Sequence, residues 1–286
     1  METISCIICE NDNTKKLFEK ASRDGERFQL VQCRSCGLQY INPRPGEEEI
    51  GKYYGAEYFT RRTERGYNNY FSPELKREIE RVFTLNLEDL GFFGFEQGLD
   101  GEKRCLDIGC AAGYFVGFMK DRGWDARGID ISHECVEFAR SGGLNVVRGD
   151  YLDAAFDGPF DVITLWASIE HLHHPHLFLE KISRELAPGG RLYISTCRAG
   201  GLNFMKFFGS AWRFYNFPEH LYYFSRSSMK KLLEKNGFSI LARETYGSGA
   251  GKPGSWLRKT ADFTAKHFSL GDMMILAAKK SRSDSF

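Results

Sequence analysis

Four cysteines near the N-terminus fall into two pairs, Cys6-x-x-Cys9 and Cys33-x-x-Cys36, separated by 23 residues. Each pair suits a tight turn, and two such turns can close a tetrahedral thiolate cage. Four thiolates leave no open position, so a metal held there would be structural, and such knuckles favour zinc over iron. A second group is the run Cys105-Leu106-Asp107-Ile108-Gly109-Cys110-Ala111-Ala112-Gly113-Tyr114-Phe115. An apolar stretch meets an acid, then a loop of small residues, then an apolar helix, the layout of a strand end where a ligand approaches exposed backbone. Gly109 would let the chain turn sharply and Gly113 would let the helix pack close, with Ala111 as a third small residue. Asp130 ends the next apolar run, 23 residues after Asp107. A carboxylate there can accept both hydroxyls of a ribose. A helix N-cap is the competing role, which Ser132 could supply equally well.

A third group is Pro218-Glu219-His220-Leu221-Tyr222. Histidine has an unperturbed pKa near ~6.5, which suits removal of a proton from a hydroxyl or from carbon beside a carbonyl. His220 is thus a candidate general base. Glu219 could orient it or act as the base, and Tyr222 could stabilise an enolate or alkoxide. The competing reading is a buried histidine that only makes hydrogen bonds. His171, His173, His174 and His176 also invite a metal reading, but Pro175 interrupts them and no helical i,i+4 pair is available. Loop ligation remains open there, and so does a role coating the entrance to a helix.

At 286 residues the chain can hold one α/β domain and a small accessory module. Lys and Arg total 39 against 38 Asp and Glu, so no basic field points to nucleic acid or an anionic membrane. Neither a secretory leader nor a long apolar span is visible, so a cytoplasmic protein without a membrane span is expected. Eight cysteines in that setting argue for metal or buried thiols, not a disulfide framework.

Periodicity places the elements that must position these groups. Strands are predicted at Arg104–Ile108, Ala126–Asp130, Leu144–Arg148, Val162–Trp166, Arg191–Thr196, Ser239–Tyr246 and Met273–Ala278. Helices are predicted at Tyr114–Arg122, His133–Ser141, Pro175–Leu186 and Ser227–Asn236, and an amphipathic one at Pro73–Leu90. The alternation implies a doubly wound, mostly parallel sheet, finished by two antiparallel strands joined through a long loop. Residues 1–45 form the metal-binding module, 46–101 an aromatic and helical cap, and 102–286 the main domain. Gly91 to Gly101 reads as a linker. Tyr53, Tyr54, Tyr58 and Phe59 either staple the module to the domain or form a flap over a cofactor. Ten aromatics between Asn203 and Phe224 have no sustained period and suggest a lid at about 198–225.

The run Asp107-x-Gly109-x-Ala111-x-Gly113 resembles motif I of the class I S-adenosylmethionine (SAM) methyltransferases, with Ala111 in place of the central glycine. The seven-strand order over about 180 residues is similar to that family's fold. The resemblance implies SAM as cofactor, with Cys110, Asp130 and Ile131 around its nucleoside. It places Asp150 beside the adenine amine with Tyr151 next to it, and Trp166 at the methionine end. Tyr58 would belong to the flap. The segment Trp166-Ala167-Ser168-Ile169-Glu170-His171-Leu172 looks like the family's motif IV and post-motif segment, and Pro188-Gly189-Gly190 like its usual turn. Further, Glu219-His220-Leu221-Tyr222-Tyr223-Phe224-Ser225, the cysteine cage and Asn42-Pro43-Arg44-Pro45 resemble zinc-containing methyltransferases of nucleotide-linked deoxysugars and surface glycans.

The expectation is a SAM-dependent methyltransferase acting on a small molecule, a nucleotide-linked sugar or glycan, at carbon or oxygen. The alternative acceptor is a quinone, polyketide or other natural-product hydroxyl. A different class of function is a zinc-ribbon binding module carrying an inactive domain, against which the intact Asp107, Asp130 and Asp150 speak. A dinucleotide oxidoreductase is disfavoured by the loop spacing and the antiparallel finish.

Overall fold

The computed structural model describes residues 1–54, 58–60, 69–200, 209–247 and 256–281. Strands β1 (Thr14–Ala21), β2 (Arg27–Cys33) and β3 (Gln39–Ile41) form an antiparallel meander. β2 alternates buried Phe28 and Leu30 with more open neighbours, so one face turns inward. The pairing carries Cys33 and Cys36 back to Cys6 and Cys9. Helix α1 (Glu47–Ile50) follows the Pro-Gly breaker with three glutamates in its first turn, where the helix dipole favours acids.

Helix α2 (Pro73–Asp89) starts where the sequence places it. Ser72 accepts a hydrogen bond from the Leu75 amide, and Pro73 occupies the first turn, where a missing N–H costs nothing. The expected linker from Gly91 to Gly101 is instead partly helical, because α3 (Phe92–Gln97) lies within it. Phe92 is wholly buried, its ring 5.8 Å from those of both Trp124 and Tyr193. Tertiary burial of the aromatics holds a helix that local composition disfavours.

The main sheet grows from β4 (Arg104–Ile108), α4 (Tyr114–Lys120), β5 (Asp125–Asp130), α5 (His133–Ser141), β6 (Val146–Arg148), β7 (Phe160–Trp166), α6 (Pro175–Glu185) and β8 (Leu186–Cys197). After β9 (Tyr222–Tyr223) come α7 (Arg226–Lys235), β10 (Phe238–Tyr246), α8 (Trp256–His267) and β11 (Met273–Lys280). The seven strands run in the order β10-β11-β8-β7-β4-β5-β6. All neighbours are parallel except β11, antiparallel to both β8 and β10. The strand order reverses beside β4, which opens a crevice at the carboxyl ends of β4, β5 and β7. The stretch before β11, expected as a loop, contains α8. Its Trp256 and Phe263 are exposed, so these large apolar residues give no sign of the core-facing stripe by which a helix is read from sequence.

β9 does not join this sheet. It pairs with β3, Tyr40 opposite Tyr222 and Gln39 opposite Tyr223, and completes a four-stranded sheet with the N-terminal meander. One contiguous buried core joins Cys6, Tyr40 and Tyr222 to Leu106 and Ile163 of the main sheet. The boundaries expected near residues 45 and 101 are therefore bridged by a shared sheet and core. Among the described residues, no helix is long and apolar enough to cross a membrane.

Candidate cofactor and acceptor site

The loop after β4 is positioned by backbone. The amides of Gly109 and Cys110 both donate to the Ile129 carbonyl, at 2.8 and 3.1 Å, tying the loop to β5. Gly109 has φ +71°, and a Cβ there would lie 2.7 Å from Cβ of Ser168. Gly113 has φ +72°, and its missing Cβ makes room for Leu144 and Ala139. Its missing Cβ serves packing, and although the motif resemblance counts it with the cofactor-binding loop, it does not line the cavity. Ala111 also stands in the left-handed region, at φ +46°, where a methyl group is strained by about 1–2 kcal/mol. The amide of Ala111 donates to Oδ2 of Asp130 at 2.7 Å, which holds this conformation in place.

Asp130 accepts a second bond from the Ser132 amide at 2.8 Å, while the Ser132 hydroxyl caps α5 through the Cys135 amide. The cap thus belongs to Ser132, and Asp130 faces the crevice. Its carboxyl is pushed up from the usual range by burial, against the opposing pull of the Ser132, Ala111 and Ile131 amides. Asp107 is 2 % exposed and accepts a 2.6 Å bond from the Thr164 hydroxyl. Burial pushes it up to about 8, with the Thr164 bond opposing and the charge of Asp130 adding to the rise. Two acids poised this way suit a ligand that brings hydroxyl donors or a positive charge.

A cavity of about 1030 Å³ opens over this loop, at the upper end of the roughly 300–1,000 Å³ usual for small-molecule sites. Asp107, Gly109, Cys110, Ala111, Asp130, Ile131, Asp150, Tyr151, Trp166 and Tyr58 all line it. Ile131 is 60 % exposed beside Asp130, an apolar surface suited to cover a flat base. Asp150 accepts from the Leu152 amide, and the Tyr151 hydroxyl donates to Glu185, so the Tyr151 ring faces the cavity while its oxygen is engaged elsewhere. Phe83 of α2, which periodicity does not distinguish from core, packs 5.4 Å from the Trp166 ring and lines the same space. The Trp166 indole nitrogen is buried without a hydrogen-bond partner.

Glu170, His171 and His220 also line the cavity. The ring of His220 lies 4.6 Å from that of His171, edge to face, and its Nδ1 is 3.6 Å from Sγ of Cys197. His171 Nδ1 is 2.8 Å from the Glu219 carbonyl. Glu219 is buried and does not line the cavity. Tyr222 is also turned away. Its hydroxyl is 2.7 Å from Nη1 of Arg44 and donates to the His173 carbonyl at 3.1 Å. The expected oxyanion role of Tyr222 therefore finds no path to the cavity. Arg44, only 1 % exposed, also donates to the His173 carbonyl and pairs with Glu2. The sequence marks Arg44 only by the prolines around it, so this lock was invisible there.

His173 Nε2 meets the Pro45 carbonyl at 3.0 Å, and His174 pairs with Glu47 at 3.1 Å. These histidines dock α1 and the N-terminal strands, and no metal cluster among the described residues includes them. Of the expected aromatic lid, Phe204, Phe207 and Phe208 lie outside the described residues. Trp212, Tyr215, Phe217, Tyr223 and Phe224 are buried core, and Phe214 lines the cavity. They lack a period because they pack around an irregular segment and a two-residue strand.

The sulfurs of Cys6, Cys9, Cys33 and Cys36 lie within 4.8 Å of one another, and Cys6 and Cys36 are 3.5 Å apart. A tetrahedral zinc with sulfur at ~2.3 Å would space the sulfurs at about 3.8 Å. The Cys36 thiol hydrogen-bonded to Cys6 holds Cys6 down to about 5 and is itself pushed far up. The donor set and spacing fit a four-thiolate metal.

A doubly wound sheet with this strand order and a glycine loop at its switch point defines a Rossmann-like α/β fold. The family model described as "Methyltransferase domain" matches residues 67–243. The chain belongs to that family, and the matched region is a class I SAM-dependent methyltransferase domain. Among curated relatives, the ubiquinone biosynthesis O-methyltransferase of Idiomarina loihiensis is 30% identical over 128 residues, 42% of this chain and 52% of that protein. The enzyme of the same name from Xanthomonas oryzae pv. oryzae is 36% identical over 123 residues, 40% of this chain and 51% of its own length. The chain thus spans about half the length of the curated relatives it matches. Among solved structures, a SAM-dependent methyltransferase from Archaeoglobus fulgidus is 20% identical, with a TM-score of 0.52 over 72% of this chain and 94% of that one. The cyclase SpnF is 21% identical, with a TM-score of 0.55 over 84% and 99%. Such likeness shows the fold alone, and the cyclase illustrates that the fold does not set the chemistry.

Proposed function

We propose that this protein transfers a methyl group from SAM to a small acceptor bound between Trp166 and His220, with a structural zinc in the four-cysteine cage. The observation that supports the reading is one cavity lined both by the Asp107–Ala111 loop and Asp130 and by His171 and His220. Asp130 would hold the ribose hydroxyls, Ile131 and Asp150 the adenine, and the Gly109 loop the amino-acid end. When bound, SAM supplies an electrophilic methyl group on a sulfonium, so the chain's own work is largely positioning. Tyr58 and Phe83 would exclude water from above. His220, facing the cavity with its ring steadied by His171 and Cys197, would take the acceptor's proton.

The preferred acceptor class is a nucleotide-linked sugar or glycan, methylated at carbon or oxygen. The Glu219-to-Ser225 segment favours it, and so does the cysteine cage, which lies outside the matched methyltransferase domain. The named activity of the curated relatives favours a second reading, methylation of a quinone or other phenolic hydroxyl.

The test is transfer of isotope-labelled methyl from SAM into nucleotide-linked sugars, with lipid and phenolic extracts run alongside. Label in the sugars supports the first reading, and label only in the extracts replaces it with the second. His220→Gln should retain S-adenosylhomocysteine affinity within about twofold and lose turnover by roughly 10²–10⁴. Lack of S-adenosylhomocysteine binding at micromolar concentration in the unaltered protein would return the binding-module reading.

A further inference from the structure

We propose that Glu170, Cys197 and His220 form a second metal site, for a zinc-type divalent cation, at the acceptor end of the cavity. Each residue comes from a different, well-anchored place. Glu170 follows β7, Cys197 ends β8 opposite Met273 of β11, and His220 precedes β9. The Glu170 carbonyl accepts from the amides of Leu221 and Tyr222 at 2.8 and 3.2 Å, which ties the glutamate to the histidine's own segment. One ligand atom from each side chain lies within 4.8 Å of the other two, and all three residues are buried.

The separation of Cys197 Sγ and His220 Nδ1, 3.6 Å, matches a shared metal. Tetrahedral zinc with ligands at ~2.3 Å for sulfur and ~2.0–2.1 Å for nitrogen spaces those atoms by about 3.6 Å. A carboxylate oxygen of Glu170 lies within 4.8 Å of both ligand atoms. The donor set of thiolate, imidazole and carboxylate suits zinc, and three protein ligands with one open position are the arrangement of catalytic rather than structural sites. Glu170 and His220 line the cavity while Cys197, fully buried, stands behind them, so the open position faces the acceptor. A dication would also balance the charges of a thiolate and a carboxylate held out of water. None of the three residues belongs to the four-cysteine cage, whose closed set of thiolates offers nothing to a substrate.

The consequence, though not the site, rests on the reading of this end as the acceptor chamber. With a cation bound here, the acceptor's proton would be lost to solvent and His220 would serve as a ligand. In the metal-free chain His220 keeps the role of base.

The experiment is metal analysis of the full-length protein after equilibration with micromolar zinc and removal of excess. The unaltered chain should carry two zinc ions, and Cys197→Ala should carry one while still binding S-adenosylhomocysteine. Glu170→Gln, which keeps the shape, should weaken the same equivalent at least tenfold. Cobalt in the second equivalent should show a thiolate-to-metal absorption that Cys197→Ala removes. One zinc in both the unaltered and Cys197→Ala proteins, or two in both, overturns the site and leaves Cys197 as a hydrogen-bond partner of His220. Two zinc ions without methyl transfer to any acceptor would instead overturn the functional reading and spare the site.

Discussion

At the scale of single residues, the cofactor end is dominated by the cost of burying acids. Asp107 is protonated in the folded chain up to about pH 8 but ionises near ~4 when unfolded. Between those values the native state holds a proton that the unfolded state has lost, so stability falls as pH rises from about 4 to 8. Asp130, raised in the same direction, adds to that slope. Asp107→Asn keeps an acceptor for Thr164 and removes the titration. Without ligand, its melting temperature should decline less between pH 5 and pH 8 than that of the unaltered chain, and its SAM affinity should fall. Parallel melting profiles for the two proteins would remove Asp107 from this account. Ala111 bears a related burden, a methyl group in left-handed backbone, kept there by its amide's bond to Asp130.

At the scale of elements, β9 decides what the aromatic segment can do. Its pairing with β3 commits Tyr222 and Tyr223 to the N-terminal sheet, and Arg44 fixes the Tyr222 hydroxyl. Tyr222→Phe should therefore cost about 1–2 kcal/mol of stability, since Arg44 loses one of its buried partners. Turnover per folded molecule should change little, as the ring stays in place. A tenfold loss of kcat with an unaltered melting temperature would return Tyr222 to the chemistry. The histidine loop obeys the same logic. His171, His173 and His174 all line the cavity, and His173 and His174 also dock residues 44–50 through Pro45 and Glu47.

At the scale of the whole molecule, the cysteine cage is joined to the segment carrying His220 through one continuous sheet. Cys33 ends β2, β2 pairs with β3, β3 pairs with β9, and His220 lies just before β9. Under the proposed function, loss of the cage should therefore be felt at the acceptor before the cofactor, whose loop lies on β4 and β5. Cys33→Ser should lower the melting temperature and raise KM for the acceptor. S-adenosylhomocysteine affinity of the remaining folded protein should change by less than about threefold. Equal loss of both affinities would show that the sheet does not partition the molecule in this way.

Much of this was legible from local pattern. The seven strands of the main sheet, the loop from Asp107 to Gly113, Asp130 at a strand end and the paired cysteines follow from period, turn chemistry and ligand spacing, which are properties of neighbouring residues. Helix α3 was hidden because glycines argue against it and buried aromatics override them. The sequence also raised a metal or catalytic role for His171, His173, His174, His176 and His220, yet spacing alone could not choose among them. Only tertiary structure sent His220 to the cavity, Tyr222 to Arg44 and His173 to Pro45, and only it brought Cys197 beside His220 across 23 residues. The physical reason is range. Hydrophobic period and turn preference act over a few residues, whereas the partners of a buried polar group are set by which distant segments share the core.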